Sequence, residues 1–164
     1  MVPVAAVALG CVVLAGGLAV RYLFVTSPDQ AAVNAAPRIS DTAFERAAAG
    51  VCAQYVHVFD TGTTLGKQPS QGQSGQFLSN IADTFDAMVT RLKTIPVAPV
   101  DRAAVGHWLA QWDAYDAFGH RYAVAVGKGQ ERDLVIQDSA SQGELRRQRN
   151  AFATANHMSP CAFS

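Results

Sequence analysis

An unbroken apolar run, Val2–Val20, opens the chain, and Arg21 is the first charge to interrupt it before Tyr22-Leu23-Phe24-Val25. A helix that crosses a bilayer needs about 20 mostly apolar residues, since its backbone must satisfy itself without water. The run meets that length, and the aromatic pair behind Arg21 suits the headgroup level. Residues 1–25 are therefore expected to form a single transmembrane anchor. A cleaved secretory signal would carry a basic leading segment, a shorter apolar core and a small-residue cleavage site, and the run departs from all three. Lipidation asks for Leu, a small residue and Gly or Ala ahead of the modified cysteine, whereas Cys11 follows Ala8-Leu9-Gly10 and stands too near the start.

Within the anchor, Ala6, Gly10, Val13 and Gly17 fall at i, i+4, i+7 and i+11 and share one helical face. Small residues on one stripe let a second membrane helix approach closely, although Ala and Gly are also common in membrane helices generally. The positive-inside rule finds only Arg21 and the more distant Arg38, both C-terminal to the run, which taken alone points to a cytoplasmic domain. Cysteine placement argues the other way. Cys52 and Cys161 stand at opposite ends of the remaining chain, as a staple would, and such a bridge persists in an oxidising compartment. Closing a loop of about 110 residues contributes about 4–5 kcal/mol. The expectation is an exported domain with Cys52 and Cys161 joined and Cys11 free.

Residues 26–41 shift to Ser, Pro, Asn, Gln and Ala, with Pro28 and Pro37 discouraging a continuous helix, and read as a linker. The linker ends at Ser40-Asp41-Thr42, where Thr42 and Glu45 have capping-box spacing and Asp41 offers an alternative cap. Phe44, Ala48, Val51, Cys52, Tyr55 and Phe59 then define the buried face of a first helix, stopped at Asp60-Thr61-Gly62. Residues 61–75 are rich in Gly, Thr, Ser and Gln and read as a long surface loop. A second helix carries Leu78, Ile81, Phe85, Met88, Leu92 and Ile95 and stops at Pro96. Asp101 is placed to cap a third, whose Val105, Trp108, Trp112, Tyr115, Gly119, Tyr122 and Val126 form the strongest periodicity in the chain. Gly127-Lys128-Gly129 breaks it, and a fourth helix runs from about Glu131 to His157 with a sparser stripe of Leu134, Leu145, Phe152 and Ala155.

Four amphipathic helices of similar length pack most simply as an up-and-down bundle, which brings Cys161 beside Cys52. The fold class is thus all-α: an N-terminal transmembrane helix, and a four-helix up-and-down bundle over residues 42–164 closed by one disulfide. Little in it suggests catalysis. His57, His107, His120 and His157 are scattered, without a second ligand at metal-site spacing, and there is no phosphate-binding glycine loop, HExxH or GxSxG. Neither a cofactor nor a metal is expected. Arg146, Arg147 and Arg149 form a small basic patch on the fourth helix, read as a solvated face that can also meet anionic headgroups or an acidic partner. With formal net charge zero, nucleic acid is not an expected partner. Trp108 and Trp112 read as core, or as the wall of a crevice for an apolar ligand.

The anchor, the linker, Phe44-x6-Val51-Cys52, Pro99-x-Asp101 followed by Trp108, and the terminal Cys161 together resemble the small exported helical-bundle proteins common in actinobacteria. The resemblance covers about Asp41 to Cys161, and the Ala- and Val-rich composition suits a high-GC genome. It implies a non-enzymatic accessory subunit of a larger multi-pass membrane assembly, such as a Mce-type lipid transporter or a respiratory supercomplex. It brings no catalytic residues. The alternative is a membrane-tethered module that binds a lipid or other apolar ligand.

Overall fold

A computed structural model describes residues 30–62 and 70–162, apart from the side chains of residues 57–62 and 136, 137 and 139. The anchor positions Ala6, Gly10, Val13 and Gly17, with Cys11 and Arg21, lie outside the described residues, as do the side chains of His57 and Phe59. Every regular element among the described residues is helical: α1 (Gln30–Ala35), α2 (Thr42–Gly62), α3 (Gln71–Lys93), α4 (Arg102–Lys128) and α5 (Glu131–Ala155), with 3₁₀ turns at Pro99–Asp101 and Ser159–Cys161. Among the described residues no helix is long and apolar enough to cross a membrane.

The helix boundaries follow from local chemistry. Asp41 starts α2, its Oδ1 accepting the Phe44 amide at 3.0 Å. Helix α3 begins about four residues ahead of the expected loop end, because Ser70 and Gln73 form a reciprocal capping box. A second cause is tertiary. Gly75 is buried against the end of α4, where a Cβ would lie 2.7 Å from the Gly127 Cα, so the two backbones touch as only glycine allows. At this same C-terminal end of α4, Gly129 adopts φ 67° and closes the helix with its N–H on the carbonyls of Ala125 and Val126.

Successive long helices run antiparallel. Gln54 on α2 meets Arg91 on α3, Gly75 on α3 meets Gly127 on α4, and Gln111 on α4 meets Gln148 on α5. Their shared core holds Phe44, Ala48, Cys52, Met88, Leu92, Val105, Trp108, Trp112, Phe152 and Met158. Trp108 stacks on Phe152 at 5.5 Å and meets Phe44 and Trp112 edge-on. The disulfide joins Cys52 to Cys161 with Cα atoms 5.1 Å apart. Among the described residues α5 packs on α4 and α1 rather than on α2, and the Ser159–Cys161 turn touches both α2 and α5. The staple therefore closes the domain through that turn.

Two expectations are corrected. The segment taken as a linker contains α1, whose Val33 is buried against Ala151 and Ala155 of α5, so the apolar residues of a Pro-flanked stretch gain a partner that local sequence does not reveal. Asp101 makes no side-chain cap on α4. Its Oδ2 instead accepts from the Ser40 amide, the Ser40 hydroxyl and the Asp41 amide, each at 3.0 Å. Asp41 answers by accepting the Ala98 amide at 2.8 Å. The two carboxylates thus clasp the entrance of α2 to the turn ahead of α4. The Phe44 amide first, then those of Ala98 and Ala43, hold the Asp41 carboxyl below its ordinary value of 3.8.

Candidate ligand groove between the first, fourth and fifth helices

Helix α1 is held in place by the segment that follows it. Asn156, buried at the end of α5, accepts the Ile39 amide and donates to the Pro37 carbonyl, both at 2.9 Å, while the Arg38 guanidinium donates to the Ala155 carbonyl. This fastening sets α1 against α5 without filling the space between α1 and α4. A groove of about 500 Å³ remains there.

Its walls are made largely of alanine: Ala32, Ala35 and Ala36 from the α1 side, Ala103 and Ala104 from α4, and Ala151 from α5. Methyl side chains cannot meet across the gap, which is why the groove stays open. Trp108 and Phe152 line it as well, so Trp108 serves the core and the groove wall together. Polar groups also line the groove. Gln111 donates through Nε2 to Gln148 Oε1 at 2.9 Å and lies 3.2 Å from His107 Nε2, which makes that histidine nitrogen the acceptor. Gln148 in turn donates to Glu144, and Arg147 forks onto the same carboxylate. Those bonds hold the Glu144 carboxyl below its ordinary value, Arg147 contributing most.

The three arginines of the supposed basic face separate. Arg146 is exposed, Arg147 lies at the groove beside Glu144, and Arg149 is buried at 1% exposure. Arg149 does not belong to a solvated patch. Its guanidinium lies 3.9 Å from the centre of the Trp112 ring and 4.3 Å from that of Tyr115, where cation–π attraction replaces part of the lost hydration. Burial pushes its pKa down to about 10, against the opposing interaction with Tyr115. Trp112 and Tyr115 come from α4, so spacing along α5 alone does not distinguish Arg149 from its neighbours.

Among the described residues no group of His, Cys, Asp and Glu side chains is placed to hold a metal ion. The groove presents an apolar wall, a histidine whose Nε2 accepts a hydrogen bond, two amides, and a cation with a carboxylate at the mouth. Compared with protein-family models, characterised proteins and solved structures, the chain matches none of them, so its geometry carries the functional reading.

Proposed function

We propose that the chain is a non-enzymatic, membrane-tethered binding module on the outer side of a cytoplasmic membrane, which holds an acyl chain or similar apolar ligand as an accessory part of a multi-pass envelope complex. The observation that carries this reading is the alanine-walled groove of about 500 Å³, within the range of about 300–1,000 Å³ usual for small-molecule sites, with a few convergent polar groups. The hydrocarbon part lies along Ala32, Ala36, Ala104, Trp108 and Phe152, and an anionic or hydroxylated head turns to Arg147, Gln148 and His107. Arg146 faces the same anionic surroundings from the helix exterior. The Cys52–Cys161 bond supports export, since an oxidising compartment preserves it. The tether and any packing through Ala6, Gly10, Val13 and Gly17 rest on the sequence pattern. The lipid-transport setting rests on the resemblance to exported actinobacterial bundles.

Ala103→Phe tests the groove. Ala103 is exposed at its edge, so a phenyl ring can fill the space without entering the core, and surface changes of this kind shift stability by about 0.5 kcal/mol or less. Full-length wild-type protein isolated from membranes should carry a bound acyl species seen by native mass spectrometry, and Ala103→Phe should lose it at unchanged melting temperature. Equal retention by the filled variant, or no acyl species on the wild type, would refute the groove as the ligand site.

A further inference from the structure

A second concavity, chemically unlike the first, lies between α3 and α4. It encloses about 280 Å³ and is lined by Leu78, Ile81 and Phe85 of α3, and by Tyr115, Asp116, Phe118, Gly119 and Tyr122 of α4. Four aromatic rings and aliphatic side chains thus surround one carboxylate. Asp116 has a side chain only 14% exposed. Its Oδ2 lies 3.7 Å from His120 Nε2, while its Oδ1 is buried with no hydrogen-bond donor among the described residues. A buried carboxylate oxygen without a donor is costly and rare, and calls for a partner. Burial pushes the Asp116 carboxyl above its ordinary value of 3.8; His120 opposes the rise, and Asp86, Asp113 and Asp83 add to it. Of these, Asp113 is itself paired with Lys93 at 2.6 Å.

Gly119 supplies an independent observation. A glycine inside a helix is destabilising by about 0.5–1 kcal/mol relative to alanine, and a Cβ at this position would meet only the Ala82 Cβ at 3.6 Å, an ordinary contact. The fold has room for alanine here. What the glycine preserves is the open floor of the crevice.

We propose that this crevice binds a small organic cation, a primary or secondary ammonium bearing a compact apolar or aromatic body. The N–H donors meet the Asp116 carboxylate where its side chain keeps 14% exposure, the charge meets the aromatic lining, of which Tyr115 and Phe118 already hold the Arg149 and Arg121 guanidiniums, and the body packs against Leu78, Ile81 and Phe85. At the roughly 30 Å³ that a water-sized group occupies, the space suits about ten non-hydrogen atoms. The site does not depend on the alanine-walled groove, which lies on the α1–α5 side of α4.

The test uses para-fluorophenethylammonium as probe and its neutral alcohol counterpart as control, titrated into full-length protein in phosphatidylcholine nanodiscs and followed by fluorine NMR against empty nanodiscs. The wild type should bind the amine saturably, at least tenfold more tightly than the alcohol. Asp116→Asn should weaken the amine at least tenfold and leave the alcohol unchanged, and Gly119→Ala should weaken both. No saturable binding up to about 10 mM, or amine binding indifferent to Asp116→Asn, overturns the site. Should Asp116→Asn fail to fold, the decision passes to Gly119→Ala, for which amine affinity equal to wild type overturns it.

Discussion

Replacing Gly75 with alanine isolates the closest backbone approach between α3 and α4. The new Cβ would stand 2.7 Å from the Gly127 Cα, 2.9 Å from its nitrogen and 3.0 Å from the Ala123 carbonyl oxygen. All three are backbone atoms, so no side chain can rotate away. Reaching an ordinary contact of about 3.4 Å requires the start of α3 and the end of α4 to part by roughly 0.7 Å, in the class of overpacking changes that cost about 1–3 kcal/mol. The helix-propensity return on Gly→Ala is at most about 1 kcal/mol, and smaller here, since position 75 lies only in the second turn of α3. The net expectation is a loss of about 1–2 kcal/mol, or a melting temperature lower by about 4–8 °C for a domain of this size. Gly119→Ala is the matched control on the partner helix. With its Cβ at 3.6 Å from Ala82, it should gain about 0.5–1 kcal/mol. Thermal and urea unfolding of the full-length variants, followed by circular dichroism, give both numbers. A Gly75→Ala protein as stable as wild type would refute the close-approach reading, and a destabilised Gly119→Ala would remove the claim that the fold has room for alanine there.

Reducing the Cys52–Cys161 bond, which spans a sequence separation of 109, should lower stability by about 4–5 kcal/mol in the loop-entropy model, measured as urea midpoints with and without reductant. Arg149→Ala should cost about 2–4 kcal/mol, because it removes the cation stacked on Trp112 and Tyr115 and leaves a cavity; Arg146→Ala, on an exposed position, should change stability by about 0.5 kcal/mol or less. Asp101→Ala strips the acceptor from three donors around Ser40 and Asp41 and should cost about 1–3 kcal/mol, seen in equilibrium unfolding. The pH dependence has two opposed parts. Asp41, whose folded pKa lies below 3.8, lends stability that is present above that value and lost as pH falls through the folded pKa. Asp116, whose folded pKa is raised, lends stability that is full below 3.8 and lost as pH rises through its folded value; Asp116→Asn should abolish that second loss in pH-dependent melting curves.

Helical periodicity alone identified the four long helices, because burial along one face repeats every 3.6 residues wherever a helix lies on a core. The stops at Gly129 and around Pro96 were legible for the same local reason: they are set by a residue's own φ or missing N–H. The pairing of Cys52 with Cys161 was also legible, since two cysteines at the ends of one domain leave a single intramolecular arrangement within it.

What the tertiary structure decided is everything that depends on a residue's partner. Val33 in a Pro-flanked stretch carries no periodicity of its own, and α1 becomes part of the domain only through Ala151 and Ala155 of α5. Asp101 has the position of a helix cap, yet its carboxylate serves a segment sixty residues away in sequence. Arg149 shares its neighbourhood in sequence with Arg146 and Arg147 but faces Trp112 and Tyr115, and a charge run does not record which of its members points inward. The alanine-walled groove and the Asp116 crevice are likewise spaces between helices. A sequence determines which side chains are small, acidic or aromatic; the void they leave exists only once helices distant in the chain are set side by side.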